Sequence, residues 1–79
     1  MPTALRDGPY RFFFYASDCG EPSHIHVERD DNIARFWLSP VRLASSGGFP
    51  RAEIARVQRM VMERQFELKE AWNAYCQHD

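Results

Sequence analysis

His24-Ile25-His26-Val27-Glu28-Arg29 alternates polar and apolar residues without a break. Side chains of a strand alternate between its two faces, so this stretch predicts a half-buried β-strand. Ile25 and Val27 then face a core, while His24, His26 and Glu28 share the other face. Asp30-Asp31-Asn32 turns the chain, and Ile33-Ala34-Arg35-Phe36-Trp37-Leu38 returns as its hairpin partner. Ser39-Pro40 ends the ladder, because proline has no N–H to donate. Val41-Arg42-Leu43-Ala44 reads as a final edge strand.

Upstream, Tyr10-Arg11-Phe12-Phe13-Phe14-Tyr15-Ala16-Ser17 is rich in aromatics that suit a pleated surface. It predicts a strand over residues 10–17 with both faces at least partly covered. Asp7-Gly8-Pro9 is turn chemistry, and Thr3-Ala4-Leu5-Arg6 is a short strand before it. Asp18-Cys19-Gly20-Glu21-Pro22-Ser23 reads as loop.

Past the flexible joint Ser45-Ser46-Gly47-Gly48 the period changes. A helix starts near Phe49-Pro50, with Glu53 in its first turn. Ile54, Val57 and Val61 form one apolar stripe, and Leu68, Trp72 and Tyr75 another. The polar Arg64-Gln65 lies where the stripe should continue. One long bent helix fits, and so do two helices covering 51–63 and 66–76.

The fold class is therefore α+β: a small antiparallel meander of three to five strands over residues 3–43, followed by one bent or two C-terminal helices over 50–76 that pack on it. Residues 1–79 read as a single domain. The expected core is Phe12 or Phe13, Phe14, Ile25, Val27, Phe36, Val57, Val61, Leu68 and Trp72.

Of the 79 residues, 14% are aromatic, and these large rings compensate for the small core of so short a chain. The net charge is −1, with five basic and six acidic groups in residues 1–50 and five of each in 51–79. That balance excludes an overall electrostatic footprint for nucleic acid and leaves only local basic patches. No apolar run approaches the about 20 residues that span a bilayer. The N-terminus lacks the layout of a signal peptide, and Cys19 and Cys76 are far apart. The expectation is a cytoplasmic protein with both thiols reduced.

The residues that carry chemistry centre on His24, His26 and Glu28. Two imidazoles and a carboxylate in a row are outward-facing polar side chains of an ordinary strand, an acid–base set, or metal ligands. For zinc, a third ligand would come from Cys19 or Glu28. In a meander, the same face also carries Arg11, Phe13, Tyr15, Arg35 and Trp37. His24, His26, Arg11, Tyr15, Glu28 and Arg35 together resemble what a metal-independent ribonuclease needs: proton exchangers, a cation for the phosphorane, and rings to stack on bases. Phe13 is expected in the core, with Arg11 and Arg35 in cross-strand ion pairs as the competing reading. No cofactor is expected, and His78 is expected to do nothing.

Motifs along nearly the whole chain carry a resemblance. Met1-Pro2-Thr3, Tyr10-Arg11-Phe12-Phe13-Phe14-Tyr15, Glu21-Pro22-Ser23-His24-Ile25-His26-Val27, Ala34-Arg35-Phe36-Trp37-Leu38-Ser39-Pro40-Val41 and Glu70-Ala71-Trp72-Asn73 resemble, in order, the small proteins of domain-of-unknown-function family four-one-six-zero. The resemblance implies a cytosolic bacterial or archaeal protein, encoded beside another small protein in a toxin–antitoxin-like arrangement. It implies no established activity, cofactor or catalytic residue. This chain has Ser23 where the family usually has a second proline before its His-x-His.

The leading expectation is thus one component of a two-gene module with the His24/His26 face as its working surface, whether that face cleaves RNA, binds it or docks the partner. A second is a non-catalytic interaction domain that binds a cognate small protein or a second copy of itself. A third is a metal-binding protein built on His24 and His26. None of them involves a membrane.

Overall fold

The computed structural model describes residues 3–76. Five strands come first: β1 (Thr3–Asp7), β2 (Tyr10–Phe13), β3 (His24–Arg29), β4 (Asn32–Leu38) and β5 (Val41–Ser45). They form one antiparallel sheet in the order β1-β2-β3-β4-β5, so every strand pairs with its neighbour in sequence. Helices α1 (Arg51–Glu63) and α2 (Gln65–Tyr75) follow. This is the α+β meander that the patterning predicts, with two C-terminal helices rather than one bent helix.

The helices cover one face of the sheet. Phe12, Phe14, Ile25, Val27, Ala34, Phe36 and Leu38 pack there against Ile54, Val57, Val61, Leu68 and Trp72. Most of these side chains are fully buried, and each large one stabilises the fold by about 1.5–3 kcal/mol relative to exposure. Every residue expected in the core is buried; Phe13 is buried too, but on the other face of the sheet. Tyr75 departs from its stripe: it is 43% exposed, although its ring lies 5.1 Å from Phe14.

The helix break falls at Arg64, where the polar interruption lies in the sequence. Arg64 pairs with Asp7 Oδ2 at 2.9 Å, and Gln65 donates to the Leu38 carbonyl at 2.7 Å. Both side chains turn to the sheet end and hold the break against it. At the other end of α1, Pro50 is the N-cap residue in extended backbone, and its carbonyl accepts the Ile54 N–H at 2.9 Å.

Three expectations need correction. First, the strand beginning at Tyr10 ends at Phe13 rather than continuing through residue 17. Asp18 captures the Tyr15 N–H with its carboxylate at 2.8 Å, and its own N–H donates to the Tyr15 carbonyl at 3.0 Å. These local bonds outcompete the ladder and wind Ala16–Gly20 into a 3-10 turn. Secondly, the cysteines are not reduced: Cys19 and Cys76 form a disulfide, with their Cα atoms 5.3 Å apart. The 3-10 turn carries Cys19 to the end of α2, a proximity that a separation of 57 residues conceals. Thirdly, the glycine pair is no loose joint. Gly47 (φ 55°) and Gly48 (φ 94°) take left-handed backbone, and the Gly47 carbonyl accepts the Ile33 N–H at 3.2 Å. His78 lies outside the described residues.

Candidate functional site

The face of the sheet opposite the helices is built by register. Across antiparallel strands, paired residues share a face. Arg6, Arg11 and Glu28 align in one row, Thr3, Phe13, His26 and Arg35 in the next, and His24, Trp37 and Arg42 in a third. The strands therefore place four arginines and a single acidic residue on this face. Arg29, the remaining arginine of the sheet, faces α1 and pairs with Glu53 at 2.8 Å. Two loop acids also border this arginine-rich face: Glu21 lies 3.9 Å from Arg35, and the Asp18 carboxylate lies against His24 and His26.

The aromatics interleave with these cations. The Arg35 guanidinium lies 5.2 Å from the Trp37 ring centre, and that of Arg11 lies 4.2 Å above Phe13. Arg11 also chelates Glu28 through Nε at 2.9 Å and Nη2 at 2.7 Å. Tyr15 meets both Phe13 and His26 edge-on. Beside Trp37, a cleft of about 200 Å³ is lined by Pro22, Ser23, Ser39, Pro40 and Arg42.

His24 and His26 do share a strand face, but their environments differ. The side chain of His26 is 12% exposed. Burial lowers its pKa, opposed by Asp18 and by a contact with the Phe13 backbone, with further lowering from His24 and Arg35. His24 is fully buried between Trp37 and Trp72, with ring centres 5.5 and 5.1 Å away. Its Nδ1 donates to the Pro22 carbonyl at 2.9 Å. Only one imidazole of the pair therefore reaches the surface.

Asp18 was not among the residues singled out in the sequence. It is 7% exposed, and its Oδ2 lies 3.2 Å from His24 Nε2 and 3.7 Å from His26 Nδ1. Among the described residues, neither nitrogen has a hydrogen-bond partner. The carboxylate comes from the 3-10 turn and the imidazoles from β3, so no spacing rule connects them. Cys19, the third ligand considered for a metal, is consumed by the disulfide, and Glu28 by Arg11.

A family model described as a domain of unknown function, DUF4160, matches residues 10–73. The chain belongs to this family. The match spans β2 to most of α2 and so takes in the arginine–aromatic face and the Asp18–His24–His26 cluster. No curated protein and no solved structure matches this DUF4160 chain. Among the described residues no helix is long and apolar enough to cross a membrane.

Proposed function

We propose that this DUF4160 domain contacts single-stranded RNA through the arginine–aromatic face of its sheet, as one component of a two-protein, toxin–antitoxin-like module. One observation carries the reading: Arg6, Arg11, Arg35 and Arg42 share a sheet face with Trp37, and Glu28 is the sole acidic strand residue among them. Sheets that bind single-stranded RNA use this combination, with rings to stack on bases and cations to hold phosphates. The cleft beside Trp37 and Arg42 offers room for a base.

Binding is a better fit than acid–base cleavage. Cleavage by two imidazoles needs both within reach of the substrate. His24 is sealed and its Nδ1 is committed to Pro22, which leaves His26 as the only accessible ring. Tyr15, His26 and Arg35 then act as contact residues, and Glu28 holds Arg11 in place.

Fluorescence anisotropy with a short labelled single-stranded RNA tests the reading. Binding should weaken as salt rises, and Trp37→Ala should lose about 1–3 kcal/mol of affinity. Arg42→Ala should reduce the salt slope. Wild-type protein that binds no better than the Trp37→Ala, Arg42→Ala double variant would overturn it. Expression in a bacterial host with and without the neighbouring gene, scored for growth, tests the module.

A second reading, a protein-docking role, is favoured by Met62 and Phe66, which are 57% and 75% exposed at the junction of the helices. Apolar side chains this exposed at one spot mark contact surfaces. Loss of partner capture on Phe66→Ser, with RNA binding retained, would separate the two surfaces.

A further inference from the structure

We propose that Asp18, His24 and His26 form a binding site for a divalent transition-metal cation with nitrogen and oxygen ligands. The inference starts from a stereochemical conflict. A backbone carbonyl only accepts hydrogen bonds, so His24 must carry a proton on Nδ1 to meet Pro22 at 2.9 Å. In the neutral ring, Nε2 then presents a lone pair. That lone pair faces Asp18 Oδ2 at 3.2 Å, itself an acceptor. His26 Nδ1 approaches the same oxygen at 3.7 Å and also lacks a donor.

Three electron-rich atoms thus converge in a region that water barely reaches. Leaving buried polar atoms unmatched costs about 1–3 kcal/mol each. A dication satisfies all three atoms at once.

Two of the three separations agree with a metal site. The three ligand atoms lie within 4.8 Å of one another. Tetrahedral ligands at about 2.0–2.1 Å from zinc stand about 3.3 Å apart, close to the 3.2 and 3.7 Å separations seen from Asp18. Two imidazoles and one carboxylate suit zinc or ferrous iron rather than magnesium or calcium, which prefer all-oxygen sets.

The surroundings match those of a metal site. A ligating histidine usually donates its other ring N–H to a carbonyl or carboxylate, which fixes its tautomer. Pro22 does this for His24, and the Tyr15 N–H holds the Asp18 carboxylate at 2.8 Å. Phe13 stacks on His26 at 5.2 Å, while Trp37 and Trp72 wall in His24. Three protein ligands leave a coordination position open, and the slight exposure of His26 and Asp18 gives it access to solvent.

The test uses the full chain, stripped of metal with a chelator and free of RNA, so that its outcome is independent of the RNA reading. Calorimetric titration with zinc should give one ion per chain. Cobalt(II) should produce the visible absorption of a tetrahedral N/O site. Asp18→Asn and His26→Ala should each weaken zinc binding at least tenfold while retaining the wild-type circular dichroism spectrum. Glu28→Gln, on the same strand but outside the cluster, should bind zinc as the wild type does. Zinc should also raise the melting temperature of the wild type and not of Asp18→Asn. No stoichiometric binding of either ion, or equal binding by wild type and Asp18→Asn, would overturn the proposal.

Discussion

Cys19 and Cys76 tie the 3-10 turn that carries Asp18 to the C-terminal cap of α2. The bond closes a loop with a sequence separation of 57 residues. In the chain-entropy model, closing a loop of that length destabilises the unfolded state by about 4 kcal/mol. Urea unfolding with and without reductant, or with a Cys76→Ser variant, should show a loss of that order. An unchanged midpoint would mean that the cross-link adds nothing to stability.

Trp72 and Leu68 seat α2 in the core. Trp72 is 6% exposed and packs on Phe14 and on His24. Trp72→Ala should cost about 3–5 kcal/mol by chemical denaturation. A loss under about 1 kcal/mol would make α2 a peripheral element.

Gly47 is required for two reasons. Its φ of 55° disfavours side chains, and a Cβ there would overlap the Ile33 carbonyl. Gly47→Ala should therefore destabilise the protein by more than the about 1 kcal/mol expected from backbone propensity alone, because the loop after β5 must pull away from β4. Gly8→Ala provides the contrast. Gly8 also has positive φ but faces open space, so its loss should be smaller.

Acid should weaken the junction between the sheet and α1. Tyr10 donates to Glu53 Oε2 at 2.7 Å, and Arg29 donates to the same oxygen at 2.8 Å. The Tyr10 hydrogen bond and then the Arg29 guanidinium hold the Glu53 pKa below its ordinary value of 4.5. A depressed folded-state pKa means that this contribution is present above pH 4.5 and is lost as pH falls through the lower, folded value. The urea midpoint of the wild type should therefore drop on acidification below that point. Glu53→Gln should show a shallower drop over the same interval.

The strands beginning at His24 and Asn32 were legible because strict alternation leaves one way to sort side chains between two faces. The same alternation already aligned Arg11, His26, Arg35 and Trp37. The helix break at Arg64 was legible as a polar gap in an apolar stripe, and the gap proves to hold two side chains that reach the sheet. What sequence could not show depends on contacts between distant segments. Asp18 reads as one more loop acid until the 3-10 turn folds it back over β3. Cys19 and Cys76 read as isolated thiols until α2 brings its end to that turn. Phe14 and Tyr15 look like strand residues because their rings suit a sheet, yet the Asp18 carboxylate takes the Tyr15 N–H from the ladder.

The strict sequence order of the meander also governs how the chain can assemble. Every strand pairs with the one made just before it, so the sheet has low contact order and each hairpin can close within microseconds of its second strand becoming available. During synthesis, β1 to β5 can form a ladder while the helices are still missing. That nascent sheet exposes its unshielded inner face of Phe12, Ile25, Val27 and Phe36 until α1 and α2 arrive. The interval before the final residues emerge is when the protein is most open to aggregation, and a molecule that shields the inner face would act on the nascent chain rather than on the finished domain.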